Sequence, residues 1–212
     1  MTINKVILAS PPHTGSTPLL NLVHGFLMPD EPRHWCTERL IDKFMITKTH
    51  KLDIDEWMEK YPHYDMYFVM TERSDEKMNR LICDKDKKRY NALVINYNDI
   101  LVTEKNPLDN IIENMYSLFM NFFPKEIIPN NNKYQIKRDM LIRFNAMNSC
   151  VEKLKDEPFH VHEDFYGVHG GHRNREIDPN AYIFVSGDKK ATKRKLEEYY
   201  KNKKKRIVTS ED

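Results

Sequence analysis

The fold is constrained most strongly by five short apolar runs, at residues 5–9, 44–47, 66–70, 92–97 and 181–185. The runs are rich in Val, Ile, Phe and Met, and polar residues do not alternate cleanly with the apolar ones. This pattern is typical of strands buried on both faces, as in a parallel sheet covered by helices.

Helical periodicity lies between the apolar runs. The predicted helices are 16–27, 54–60, 107–122 and 134–155. Pro29 ends the first helix, Asp53 and Asn106 are the predicted N-caps of the second and third, and Pro107 suits the first position of the third helix. Alternating strands and helices predict an α/β fold, a three-layer sandwich with a central parallel sheet.

The chain is long enough for one domain with a real core, at 212 residues of which 40% are hydrophobic. Its formal net charge of +2 does not call for a nucleic-acid partner. The Lys- and Arg-rich stretch 189–206 is predicted to be a solvated amphipathic helix followed by a tail, with an anionic-ligand or nucleic-acid patch as the alternative.

Cysteine usage and hydropathy indicate the compartment. Cys36, Cys83 and Cys150 are scattered and form no CxxC pair, so neither a disulfide framework nor a cysteine zinc site is expected. The sequence shows no signal-peptide pattern and no apolar segment long enough to span a bilayer. We therefore expect a soluble, cytoplasmic protein without a membrane partner.

The loop after the first predicted strand carries the first chemical signal. Residues 10–17 read SPPHTGST and lead directly into a helix. The free amides and positive dipole end of a helix N-terminus bind phosphate, and Ser16 and Thr17 add hydroxyl donors while Gly15 allows close approach. The turn is predicted to be P-loop-type, but the Lys of a Walker A motif is missing, which weakens the case for nucleoside triphosphate chemistry with magnesium. An ordinary capped strand–helix turn is the alternative.

Three further polar segments follow the next predicted strands, at residues 48–50, 71–74 and 96–101. The carboxyl ends of parallel strands line the ligand crevice of an α/β sheet. Lys48 and His50 are two residues apart and, in an extended chain, point the same way. Arg73 is suited to bidentate phosphate binding.

Taken in order, these segments resemble the family of sulfotransferases that use 3′-phosphoadenosine 5′-phosphosulfate (PAPS). Residues 12–17 (PHTGST) are similar to the family's P-[KR]-[ST]-G-[ST]-T loop, and residues 48–50 (KTH) to its K-[ST]-H segment. Arg73 follows at the distance of the family's 3′-phosphate arginine, and residues 97–100 (YNDI) look like its Y-E-D-[LM] segment. The resemblance spans roughly residues 5–122.

The resemblance implies one sulfotransferase-like domain over 1–212, with a nucleotide-binding half (5–122), an acceptor and closing region (123–187) and a basic C-terminal part (188–212). It implies His50 as the catalytic base, with Lys48 and His13 stabilising charge on the sulfuryl group and the leaving oxygen. The implied cofactor-binding residues are Thr14, Gly15, Ser16, Thr17, Arg73, Arg80, Tyr97, Arg173 and Arg175. PAPS is the co-substrate, no metal is expected, and the acceptor is a small molecule or carbohydrate bordered by stretches 28–43 and 123–172.

Two departures from the family pattern keep alternatives open. His13 stands where the family has Lys or Arg, and Leu81 stands where it has a phosphate-binding Ser, so that Arg80 or Asn79 would have to substitute. A non-catalytic nucleotide-binding relic of the same fold and a P-loop nucleotide kinase are the alternative functions. The late segment that carries Arg173 and Arg175 could also be a plain structured loop. A zinc site is the other alternative there, from the late histidines His160, His162, His169 and His172.

Overall fold

A computed structural model of the chain describes residues 3–10, 14–31, 39–50, 53–72, 88–158, 161–163 and 165–170. Within them, one parallel sheet is formed by β1 (Ile3–Ala9), β2 (Ile46–Thr49), β3 (Tyr64–Glu72) and β4 (Ala92–Asn96). The order across the sheet is β2-β1-β3-β4. The predicted α/β class with a central parallel sheet is confirmed.

The described helices are α1 (Ser16–Leu27), α2 (Ile54–Lys60), α3 (Tyr97–Ile100), α4 (Leu108–Phe122) and α5 (Lys133–Leu154). Two short strands, β5 (His162–Glu163) and β6 (Val168–His169), form a separate antiparallel pair. The predicted strand 181–185 and the basic stretch 189–206 lie outside the described residues. Among those that are described, no helix combines the length and apolar character needed to cross a bilayer.

Helices α1 and α2 pack on opposite faces of the sheet. The chain steps from β1 to β2 in one direction and from β2 to β3 in the other, so right-handed connections place the two helices on opposite sides. Leu19 of α1 packs with Leu8 of the sheet, whereas Trp57 of α2 packs with Ile7 and Phe68. Alternate residues of β1 therefore serve two separate cores.

Helices α4 and α5 cover the same face as α1, and α1 meets α5 with little between them. A Cβ atom at Gly25 would lie 2.6 Å from the Cα atom of Met140, which is closer than such atoms approach. Phe26, on the same helix, packs its ring against the rings of Phe119 and Phe123. The buried side chains of these three helices and of the sheet face that they cover form the larger core.

The predicted helices 16–27 and 54–60 are confirmed at both ends, and Asp53 caps α2 by accepting a hydrogen bond from the Glu56 amide at 3.0 Å. The Asn106 cap was wrong. Helix α4 begins at Leu108 with Pro107 in the cap position, because the Asn106 amide group donates instead to backbone carbonyls of the preceding loop, at 3.2–3.3 Å.

The bounds of all four strands of the parallel sheet differ from prediction. β1 begins at Ile3 instead of residue 5, and β3 covers Tyr64–Glu72 instead of 66–70. The run 44–47 was placed too early, since strand β2 begins at Ile46 and the Phe44 carbonyl accepts a hydrogen bond from the Lys5 ammonium at 2.9 Å. The run 92–97 was one residue too long. The Asn96 side chain accepts from the Asn98 amide at 2.9 Å, and this cap turns the chain into α3 at Tyr97.

Candidate functional site

The candidate site lies where β1 and β3 adjoin, at their carboxyl ends. The chain leaves β1 toward β2 on one side and returns to β3 on the other, so the strand order reverses between β1 and β3. In open α/β sheets, ligands bind in the crevice at such a switch point. Four residues predicted for the site, Thr14, Gly15, Ser16 and Thr17, belong to the connection that leaves β1 here.

Three buried polar residues tie this connection to β3. The Ser10 hydroxyl oxygen accepts a hydrogen bond from the Thr71 amide at 3.0 Å. The hydroxyl oxygens of Thr14 and Thr71 are 2.8 Å apart and share a hydrogen bond. All three residues are fully buried, so these bonds form away from competing water and fix the turn across the switch point.

Gly15 is required at the start of α1 for two reasons. Its φ of 84° is left-handed, a conformation that side-chain-bearing residues rarely adopt. A Cβ atom here would also overlap the ring of Tyr97 and lie 3.1 Å from the Ile100 side chain. The structure thus brings together two predicted site residues, Gly15 and Tyr97, at the first turn of α1.

The first turn of α1 presents a small set of amides. Leu19 already donates its amide to the Gly15 carbonyl at 3.0 Å, and Pro18 has no amide hydrogen. The helix ladder itself therefore leaves the amides of Ser16 and Thr17 without a partner. No acidic residue occupies the first turn to offset the dipole. Two amides and two hydroxyl groups are suited to one phosphate or sulfate group.

Lys48 reaches this turn from the neighbouring strand. Lys48 lies opposite Leu8 where β2 pairs with β1. Its ammonium nitrogen donates to the Thr17 hydroxyl oxygen at 3.0 Å. The side chain is only 2% exposed, so the charge lies in a region of low dielectric, where its interaction with an anion is strengthened.

His50 follows β2 directly and is half-buried. Its Nδ1 atom lies 2.7 Å from the carbonyl oxygen of Ser10. A carbonyl oxygen only accepts, so Nδ1 carries the hydrogen and the neutral ring has its lone pair on Nε2. This tautomer is the one that a general base acting through Nε2 requires.

Lys48 and His50 thus contact the two ends of one connection, Thr17 and Ser10. The remaining predicted site residues, His13, Arg73, Arg80, Arg173 and Arg175, lie outside the described residues, as does Leu81. The described part of the predicted site consists of residues 14–17 of the loop, Lys48, His50 and Tyr97.

The sequence reasoning missed Ser10, Thr71 and Asn21 as site residues. Asn21 is fully buried in α1, and its amide group donates to the Thr17 carbonyl at 2.9 Å and to the Tyr166 carbonyl at 2.7 Å. The sequence signal for Asn21 was its place as the single polar residue inside the apolar stretch 19–23. The signal for Ser10 and Thr71 was weaker, since each is a small polar residue directly after an apolar run.

The late histidines are described in part. His162 and His169 pair across β5 and β6, with ring centroids 6.3 Å apart, and His169 shares a hydrogen bond with the Gly170 carbonyl at 2.8 Å. His160 and His172 lie outside the described residues. Over the part of the chain that is described, no group of three or more His, Cys, Asp or Glu side chains is arranged to hold a metal ion.

Comparison of the chain with protein-family models, with curated proteins and with solved structures gives no match.

Proposed function

We propose that the protein is a sulfotransferase that moves a sulfuryl group from PAPS to a hydroxyl or amine acceptor. The observation that carries the proposal is the position of Lys48 and His50, which contact the turn before α1 from the end of the adjacent strand. The proposal includes a three-layer fold and a P-loop-type turn that binds the 5′-phosphosulfate.

The proposed step is an in-line displacement at sulfur. The acceptor oxygen or nitrogen forms a bond to sulfur while the bond from sulfur to the 5′-phosphate oxygen breaks, releasing adenosine 3′,5′-bisphosphate. Nε2 of His50 takes the acceptor proton. Because such transfer passes through a loose transition state, positioning and charge stabilisation supply most of the catalysis.

The other residues have separate roles in this proposal. Lys48 stabilises negative charge at the sulfuryl group and the leaving oxygen, assisted by His13. The amides and hydroxyls of Ser16 and Thr17 bind the 5′-phosphate. Arg73 holds the 3′-phosphate, with Arg80, Arg173 and Arg175 as further anion-binding residues and Tyr97 beside the turn.

A nucleotide panel tests this proposal. Thermal shift and calorimetry should show tighter binding of adenosine 3′,5′-bisphosphate than of AMP, ADP or ATP, because two separated phosphates are recognised. Equal affinity for AMP and adenosine 3′,5′-bisphosphate would contradict the role of Arg73. A magnesium-dependent preference for ATP would support a kinase instead.

Turnover then separates an enzyme from a binding relic. Release of adenosine 3′,5′-bisphosphate from PAPS should depend on an added acceptor when hydroxyl- and amine-bearing small molecules and carbohydrates are screened. Tight bisphosphate binding without turnover on any acceptor would favour the non-catalytic alternative.

A further inference from the structure

Two buried side chains from different helices bind adjacent carbonyl groups of the segment 165–166. Asn21 of α1 donates to the Tyr166 carbonyl at 2.7 Å. Arg143 of α5 donates to the Phe165 carbonyl, also at 2.7 Å. Asn21 is 0% and Arg143 3% exposed, so both bonds form inside the protein.

Each of these side chains also binds a second backbone carbonyl. Asn21 donates to Thr17, the residue whose hydroxyl accepts from Lys48. Arg143 donates to Pro29 at 2.8 Å, where the chain has just left α1. Asn21 therefore connects the segment 165–166 to the candidate phosphate site, and Arg143 connects it to the chain that follows α1.

The segment also packs on Arg143 through its rings. The Phe165 ring centroid lies 4.5 Å from the guanidinium carbon and the Tyr166 centroid 5.6 Å from it. Burial lowers the pKa of Arg143 to about 10, so the group remains charged at neutral pH. A buried cation needs such partners, because burying a guanidinium without carbonyl acceptors and aromatic faces around it is costly.

We propose that Asn21 and Arg143 are positioning residues that set the spacing between the donor site and the acceptor-binding walls. Arg143 binds one carbonyl from each stretch expected to border the acceptor, at Pro29 and at Phe165. Asn21 fixes the same segment relative to the helix turn that would hold the donor phosphates. The ligand assignments rest on the proposed function, whereas the fixation of the segment does not.

Hydrogen exchange read by mass spectrometry tests the fixation, through the amides of Gly167 and Gly170, which donate to Glu163 and Val161. Asn21→Asp keeps the side-chain shape but removes its donors, and Arg143→Met removes the charge at similar length. Each should speed exchange in 165–170 by about tenfold or more, the size expected for a lost buried hydrogen bond to a charged or fully desolvated group. Exchange in β1 should not change.

Two further variants keep the test decisive. Arg143→Lys retains the charge and reaches one carbonyl, so it should give an intermediate rate. Arg138→Met, an exposed arginine on the same helix, is the matched control and should match wild type. Exchange rates in 165–170 within about twofold of wild type for both Asn21→Asp and Arg143→Met would overturn the proposal. A twofold change is smaller than the loss of a buried hydrogen bond would cause.

The effect of adenosine 3′,5′-bisphosphate on hydrogen exchange distinguishes a positioning role from a purely structural one. In wild type, binding should slow exchange in 165–170, and in folded Asn21→Asp that slowing should be lost. Persistence of the full slowing in Asn21→Asp would overturn the positioning role. If wild type does not bind the bisphosphate, the proposed function fails, while the exchange rates of the free variants still decide whether Asn21 and Arg143 fix the segment.

Discussion

Nδ1 of His50 donates to the main-chain carbonyl oxygen of Ser10 at 2.7 Å, so a backbone group helps to set the orientation of the imidazole. The carbonyl belongs to the residue that follows β1, the strand between β2 and β3. Replacing the side chain of Ser10 would leave that carbonyl in place. The orientation of His50 is therefore tied to the alignment of the central strands.

His50→Ala should lower turnover by about 10²–10⁴-fold, the range for loss of a general base. Binding of adenosine 3′,5′-bisphosphate should change little, because the phosphates are bound by other groups. Steady-state kinetics and calorimetry measure the two effects. His63→Ala, at an exposed histidine, is the control. Near-normal turnover of His50→Ala with a verified acceptor would show that His50 is not the base.

Lys48→Met should weaken binding of the bisphosphate by about tenfold or more, as expected for loss of a charge-assisted contact. Lys5→Met is the matched control, since Lys5 is also buried but lies in the first half of β1, away from the carboxyl ends of the strands. Equal loss of binding in both variants would contradict a local role for Lys48.

Gly15→Ala should lower the free energy of unfolding, by roughly 1–3 kcal/mol from backbone strain alone, and further through overlap with Tyr97. In a Tyr97→Ala background the overlap is gone, so the same substitution should cost less. Urea denaturation of the four proteins in this double-mutant cycle gives the coupling. Additive effects would mean that the Tyr97 ring does not press on this turn.

Stability should rise with pH because of Lys5. Burial lowers the pKa of Lys5, and the attraction of Asp42 only partly opposes this. The unfolded chain, with the ordinary lysine value of 10.5, therefore holds this proton more tightly than the folded chain does. The free energy of unfolding of wild type relative to Lys5→Met should then increase with pH below 10.5, as measured by urea denaturation. A decrease of this free-energy difference with rising pH would contradict a lowered pKa of Lys5 in the folded protein.

Removal of divalent metal should leave the protein folded and any sulfuryl transfer intact, because the leaving group is already a stable bisphosphate. Differential scanning calorimetry and turnover with and without chelator measure this. Stoichiometric zinc by elemental analysis, lost together with stability on chelation, would contradict it and would point to His162 and His169 with further ligands.

Much of the fold was predictable because local signals and burial agreed. Unbroken apolar runs predicted the parallel strands, and Asp53 predicted the start of α2. The errors arose where side chains bind backbone carbonyls outside the predicted element. Lys5 binds the Phe44 carbonyl from 39 positions away, which no local sequence window shows. The Asn106 amide binds carbonyls of the loop just before it, a local alternative to capping that residue type alone does not distinguish.

The candidate site was predictable for residues that follow strands and less so for residues that support them. Lys48 and His50 stood out because they end a strand. Asn21 and Arg143 act on carbonyls 145 and 22 positions away, at Tyr166 and Phe165. Partners so distant in sequence leave no pattern, and only the packing of α1 against α5 brings them together.

The absence of a side chain at Gly25 also limits how the protein can open. The backbones of α1 and α5 are in direct contact there, so neither helix can slide or rotate on the other without a steric collision. Helices α1 and α5 should therefore move as one rigid body that carries the phosphate turn with it. The Asn21 and Arg143 hydrogen bonds and the buried side chain of Val168 attach residues 165–169 to this body, so they should follow its motion.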